Sequence, residues 1–581
     1  MGDWDRHQDQ WRWAGYEKDG RTIWRPIPRD RDQAFARYDG VLTGLARSAH
    51  PKLVVFGPRY PANLVGFTWN GRELDRALLS SLDRADFDSV AVALQAALTD
   101  QVLDDALARL PAAWHEGAGP ALREGLRRRR DVLREHAGRY YRHLAKDVDV
   151  WGTDGEEEAT AHWEDGSLLL QVRSGAGAEP WFERRFVAGE TEEVRLHLRG
   201  GGDRVELTGD REGPKLIIVR EPDDSILGAG QRGRIAELDF IPEPPGNDTL
   251  SVLPEMPRDW GADFSVGPRA GYDPDLGLLV GGGAGRTRYG YRHEPYRSRV
   301  RLSGTYATAA DGIRAEVDAD LRRTDQRTSL GLLVRASQIE VVRFNGLGNE
   351  TRDLGEAGEI THWTLTVAPA LERRLSPSVR ARAGPVLTWG DTQERLGVRG
   401  ANEFGRIGAT GELRLETPRS SGTLGTSLYP PLWSAAGTYG ELHGELRAAL
   451  PLGTPTLAAR VGARRVWGPF PFDDAAFLGG SRTLRGYDYQ RFAGDGMVYG
   501  GLELRVPTVR LFPGSVPTRV GLIALGDAGR VWADGTSSDR IHASVGGGVW
   551  LEFFEPRNAV SVVYAKGGED GHWYFQLGLP H

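Results

Sequence analysis

The chain of 581 residues has no cysteine and only three methionines. Without cysteine there are neither disulfide staples nor thiolate metal sites. It also lacks any apolar run of the ~18 residues or more that a transmembrane helix needs. That absence leaves barrel strands open, because their lipid-facing and lumen-facing side chains alternate and each segment is only mildly apolar. Charge of one sign is missing too. The 73 basic and 80 acidic residues leave a net charge of −7, which gives no global electrostatic case for nucleic acid. The start, MGDWDRHQDQWRW, has no basic stretch, apolar core or small-residue cleavage site, so it is not a signal peptide. The expectation is that a signal peptide and an upstream domain precede Met1.

What is present changes along the chain. Residues 1–70 are aromatic-rich and polar, with short strand-like pieces such as LVVF at 53–56. Residues 71–149 read as helical. FDSVAVALQAAL and TDQVLDDALARLP carry apolar residues three and four apart, and Pro111 closes the second run. The spacing predicts one long helix over 120–147, with Pro120 in its first turn. The RRRR at 127–130 reads as its solvated face, given Glu124, Asp131 and Glu135 nearby. Residues 150–245 read as a small β-rich domain of short strands and Gly/Asp turns, without a convincing internal repeat. IPEPPGNDT, at 241–249, marks a Pro-rich boundary that runs into a linker over 246–259.

From 260 to 581 the text is uniform. Segments of roughly 9–14 residues alternate polar and apolar positions between turn residues, as barrel strands do. In GIRAEVDADLR, Ile313, Ala315, Val317, Ala319 and Leu321 share one face; Arg314, Glu316, Asp318, Asp320 and Arg322 share the other. About sixteen such segments predict a transmembrane antiparallel β-barrel, with an α+β region before it. The 13 histidines do not cluster at metal-ligand spacing; His362 and His443 read as lumen-facing polar residues.

One loop does not suit a mere connection. LGGSRTLRGYDYQRF, at 478–492, sits between the strand ending RVWG and the strand GMVYGGLELRVP, and GDAGRVW follows. An arginine folded into the lumen would be held by carboxylates such as Glu503 and Asp527, which a planar guanidinium meets two oxygens at a time. LRGYD, GGLELRVP and GDAGRVW together resemble the carboxy-terminal barrel of the BamA/TamA superfamily, the bacterial surface antigens. The resemblance covers about 260–581 and is strongest over 465–581. It implies that Arg485, Gly486 and Tyr487 form the tip of a sixth extracellular loop folded back into the barrel, locked by Glu503 and Asp527. It further implies an outer-membrane protein with its amino-terminal region in the periplasm. Its partners would be outer-membrane lipid and client outer-membrane or secreted polypeptides, not nucleic acid, and its barrel would be monomeric. The role would be polypeptide insertion or translocation, without a cofactor. The family's POTRA repeats are not evident in 150–245, and the chain ends YFQLGLPH, not in a terminal aromatic.

A second chemistry is suggested at the front. An aspartate able to accept a hydroxyl proton, a carbonyl-bearing side chain five residues on, and a later aspartate form a phosphoryl-transfer pattern. The DRH stretch resembles the catalytic loop of atypical kinases of the CotH type. By that resemblance Asp5 would be the base, Gln10 would stand at a metal-binding position, and Asp30 or Asp32 would hold Mg²⁺ against ATP. Under this alternative the chain is a membrane-anchored phosphotransferase; a passive channel is the third reading.

Overall fold

The computed structural model describes residues 2–40, 43–44, 53–210, 212–228, 235–239, 258–325, 327–393, 396–511, 518–553, 559–569 and 571–577. It divides into two compact units, Met1–Val252 and Leu253–His581.

The first unit opens with an antiparallel hairpin of β1 (Trp11–Lys18) and β2 (Arg21–Pro28). Asp19 and Gly20 both take positive φ at its turn, the geometry that twists two strands together and that Asp-Gly favours. Helices fill most of 64–145. Arg84–Ala97 starts with a reciprocal capping box between Asp83 and Asp86. The long helix expected over 120–147 is two helices, Ala112–Asp131 and Leu133–Ala145, and Pro120 lies inside the first. The break has a local cause. The carbonyls of Arg130 and Asp131 accept from the Gln95 side chain, at 2.8 and 3.2 Å, a capture that stands in for helical amides at a helix end.

The arginine run also departs from the expectation. Arg127 and Arg130 pair with Asp100, and Arg128 pairs with Glu124. Arg129 is 1% exposed, lies over the Phe56 ring at 4.3 Å and donates to the Gly57 carbonyl at 2.8 Å. Four consecutive helical residues point around the whole circumference, so one of this run turns inward, and that position holds a guanidinium stacked on aromatics.

Residues 147–239 do repeat, in space. The strands β3 (Asp147–Trp151), β4 (Glu158–Glu164), β5 (Ser167–Arg173), β6 (Phe182–Val187), β7 (Glu193–His197), β8 (Arg204–Gly209), β9 (Lys215–Arg220), β10 (Ser225–Leu227) and β11 (Ile235–Asp239) form two sheets. One is parallel in the order β11-β9-β7-β3. The other runs β10-β8-β4 in parallel and continues through the antiparallel β5 and β6. Strand follows strand from one sheet to the other, so the chain winds in rungs around a core of Val150, Trp163, Leu170, Leu196, Val205 and Ile218. The repeat escapes the sequence because β5 and β6 interrupt the first rung.

At the corners leading into β4, β8 and β10, Glu157, Asp203 and Asp224 take equivalent places. The Glu157 amide donates to Asp203 Oδ1 and the Asp203 amide to Asp224 Oδ1, both at 2.8 Å. Asp203 is fully buried. Burial pushes its carboxyl up to about 7; the Glu157 amide opposes the rise, and the charges of Asp224, Glu157 and Asp223 add to it.

The second unit is one antiparallel sheet of sixteen strands among the described residues. They are β12 (Ala262–Asp273), β13 (Gly277–Arg288), β14 (Ser298–Ala307), β15 (Gly312–Arg322), β16 (Thr328–Ser337), β17 (His362–Ser376), β18 (Val379–Thr392), β19 (Phe404–Glu416), β20 (Ser420–Tyr429), β21 (Tyr439–Pro451) and β22 (Thr456–Trp467). After a small loop hairpin of β23 (Ala476–Leu478) and β24 (Phe492–Gly494) come β25 (Gly496–Leu511), β26 (Thr518–Trp532), β27 (His542–Phe553), β28 (Ala559–Lys566) and β29 (Gly571–Leu577). Each pairs with its neighbour in the sheet, and the end strands β12 and β29 meet, closing a barrel. Leu302, Leu321, Leu424, Leu446, Leu502 and Val545 are exposed on the outer face, as a lipid-facing band requires. No helix among the described residues is long and apolar enough to cross a membrane. Sixteen strands have fifteen connections, eight at one rim and seven at the other. The long ones, 338–361 and 468–495, are both at the eight-loop rim.

Candidate functional site

The segment 468–495 is the sixth of those eight loops, joining β22 to β25. It does not stay in solvent. Phe472, Ala475, Leu478, Leu484, Tyr487 and Phe492 are all at most 3% exposed. Leu478, Leu484, Tyr487 and Phe492 pack on Tyr499 and Val531 of the barrel wall. This burial draws the polar tip inward with the apolar stem.

Arg485 is 4% exposed. Its Nε and Nη2 donate to the two oxygens of Asp527 at 2.7 and 2.9 Å, and its Nη1 donates to Glu503 Oε2 at 2.8 Å. The Arg485 amide adds a contact to Asp527 Oδ2 at 3.2 Å. Asp527 on β26 stands across from Gly501 on β25, two residues from Glu503. The two strands thus present both acids on the same inward face, spaced for one guanidinium. Taking such charges out of water is costly, and fork-shaped pairing with every oxygen engaged is what offsets it.

Gly486 follows at φ +83, and a Cβ there would lie 2.7 Å from the Gly567 amide nitrogen. Only glycine fits both the backbone and the space. Its amide donates to the Tyr574 hydroxyl at 2.8 Å. The Tyr487 hydroxyl accepts from the Gly568 amide at 2.9 Å and stands 3.4 Å from the Ala543 carbonyl. Arg485, Glu503 and Asp527 are thus brought together, while Gly486 and Tyr487 turn to Tyr574 and the last hairpin turn.

Several partners were missed. Arg460 on β22 donates to Asp527 Oδ2 at 3.0 Å and to the loop carbonyls of Ser481, Arg482 and Thr483. Arg505 on β25 donates to Glu503 Oε1 at 2.6 Å. Deeper in the loop stem the polarity reverses: a wall arginine, Arg406, holds the loop acids Asp473 and Asp474 at 2.9 and 3.0 Å. His362, fully buried, stands 3.4 Å from Asp473. Gln490, at φ +57, accepts from the Val342 amide and donates to the Glu340 carbonyl, tying the sixth loop to the third. The signal for Arg406 and Arg460 was their place on the polar face of alternating strands, which says inward but not toward which loop. His443 lines a lumen cavity of about 270 Å³ with Glu441, Glu445 and Arg464.

The front-end residues sit otherwise. Asp5 accepts from the Asn70 side-chain amide and, at 3.5 Å, from Gln10. The Arg29 amide bonds the Gln10 carbonyl at 3.0 Å, so the β1–β2 hairpin returns the chain toward Gln10 just before Asp30. Asp30 accepts from the Asp32 amide at 3.1 Å, and both are exposed. Among the described residues no three His, Asp or Glu side chains gather as a metal centre.

Residues 431–579 match the Omp85 superfamily domain. The second unit is an outer-membrane β-barrel of the BamA/TamA type. The matched Omp85 segment spans the sixth loop with Arg485 and both of its acidic partners. Among solved structures, BamA from Haemophilus ducreyi lacking POTRA domains 1–3 is 16% identical with a TM-score of 0.40, covering 60% of this chain and 72% of that one. CdiB from Escherichia coli is 14% identical with a TM-score of 0.39, covering 60% and 65%. CdiB from Acinetobacter baumannii is 11% identical with a TM-score of 0.34, covering 55% and 65%. The chain therefore spans just under two thirds of each CdiB. No curated protein matches it.

Proposed function

We propose that this Omp85 barrel assists the insertion or translocation of polypeptides at the outer membrane, working as a single barrel with its first unit in the periplasm. The observation that carries this reading is the seam. The sheet runs from β12 to β29 without ladder pairing between its end strands among the described residues. Among the described residues β12 has twelve and β29 seven. The two are in contact, with the Tyr272 and Phe575 rings edge-to-face at 5.9 Å. Each unpaired edge carries backbone donors and acceptors that template another strand. A client strand adding there would gain main-chain hydrogen bonds by β-augmentation while remaining beside lipid. No covalent chemistry is needed, and the polar lock at Arg485 serves structure.

The test is reconstitution into lipid vesicles with a urea-unfolded client barrel. The expected result is faster client folding than in empty vesicles, abolished when a cysteine pair joins β12 to β29 and restored by reductant. Client folding no faster than in empty vesicles would sink the proposal. Steady ion conductance without any client would point to a passive channel.

A further inference from the structure

The sixth loop leaves the wall between β22 and β25, four places from β29 in the sheet order, yet it touches both sides of the seam. On the β12 side, Asp275 in the first hairpin turn accepts from the Ser481 amide at 3.0 and 2.9 Å and from the Ser481 hydroxyl at 2.6 Å. Arg482 pairs with Asp273, the last residue of β12, at 3.1 Å. On the other side, the Gly486 amide donates to Tyr574 on β29, and Tyr487 binds Gly568 in the last hairpin turn. Arg491 grips Glu569 of that turn through Nε and Nη2, at 2.8 and 2.7 Å. Between these two sets of contacts, Arg485 is fixed to β25 and β26.

We propose that the sixth loop is a strap across the seam, holding the loop-rim ends of β12 and β29 together so that the join opens from the opposite rim. The end strands lack ladder bonds to each other among the described residues, so the polar links between the first and last hairpins run through residues 481–491. The Arg485 pair is the buckle: it anchors the strap to the wall independently of either end. Charge-assisted hydrogen bonds at each end are the stronger kind, and those among the described residues lie at the loop rim. This inference rests on the insertion reading for its purpose, but its geometry does not.

The full-length protein in lipid nanodiscs is the sample. With no native cysteine, spin labels can be placed on Ala270→Cys in β12 and Trp573→Cys in β29. The distance distribution is expected to be short and narrow, and to broaden and lengthen in an Asp275→Asn, Glu569→Gln background. Labels on the laddered pair β20 and β21 should not change. An unchanged seam distance in that background overturns the proposal. If the background fails to fold, Asp275→Cys with Ser481→Cys provides the second reading: oxidation is expected to narrow the seam distance relative to the reduced form, and equal distributions overturn the strap. Client folding measured in parallel separates the two claims. A widened seam without client folding leaves the strap and sinks the insertion reading; client folding with an unmoved seam does the reverse.

Discussion

Gly501 on β25 makes room for Asp527 on β26: a Cβ at position 501 would stand 2.2 Å from Asp527 Oδ1. The acid that holds Arg485 therefore occupies the space its neighbour leaves empty. Gly501→Ala should push the carboxylate aside and break its alignment with the guanidinium. The expected outcome is a lower temperature for the heat-modified gel shift of the barrel, with faster cleavage of the sixth loop by added protease. A shift temperature equal to that of the parent would remove the steric part of the account.

Arg485→Ala leaves Asp527 with Arg460 and Glu503 with Arg505, both buried around a vacated charge. Breaking a buried pair by removing one partner costs roughly 3–5 kcal/mol. Arg485→Lys should recover only part of that, because an ammonium cannot reproduce the two-oxygen fork. The measurement is barrel yield and thermal stability in the order parent, Lys, Ala. Equal stability of the Lys and parent forms would show that charge alone is enough.

Asp203 makes the first unit sensitive to pH. Its folded carboxyl titrates near 7, above the ordinary aspartate value of about 3.9 in an unfolded chain. Between those values the folded form holds the extra proton, so stability falls as pH rises through that window. Asp203→Asn should flatten the trend and be the more stable form at pH 8. Hydrogen exchange in peptides covering β8 and β10, followed from pH 5 to pH 8 and corrected for intrinsic rates, reads this directly. A parent profile as flat as the variant's would contradict it.

Asp5 is engaged by Asn70 and Gln10, and Asp30 by the backbone of its own turn. With purified protein, Mg²⁺ and ATP, the expected outcome is no hydrolysis that Asp5→Ala removes. The same variant should loosen the packing of 64–71 against the amino terminus, seen as faster exchange there. Metal-dependent turnover lost in the variant would favour the phosphotransferase.

The barrel was legible because its strands obey one physical rule over 320 or so residues: alternate faces meet lipid and lumen. Arg485, Glu503 and Asp527 were legible because a buried guanidinium needs acids, and those two stand on inward faces close in sequence. The remaining partners were hidden by distance along the chain. Asp275 lies 206 residues from Ser481 and Glu569 lies 78 from Arg491, and nothing local to either residue announces the other. The rungs of 147–239 were hidden for another reason. Parallel pairing joins residues a whole rung apart, so β4 finds β8 across the intervening β5, β6 and β7. Arg129 was misjudged because a run of identical charges on a helix is divided by the 100° step between residues, which sends one of the four to the interior.

A loop packed this tightly into its own barrel also decides what the bilayer lets through. With Leu478, Leu484, Tyr487 and Phe492 buried against the wall, cells making this protein should tolerate small hydrophilic toxins as well as cells that do not.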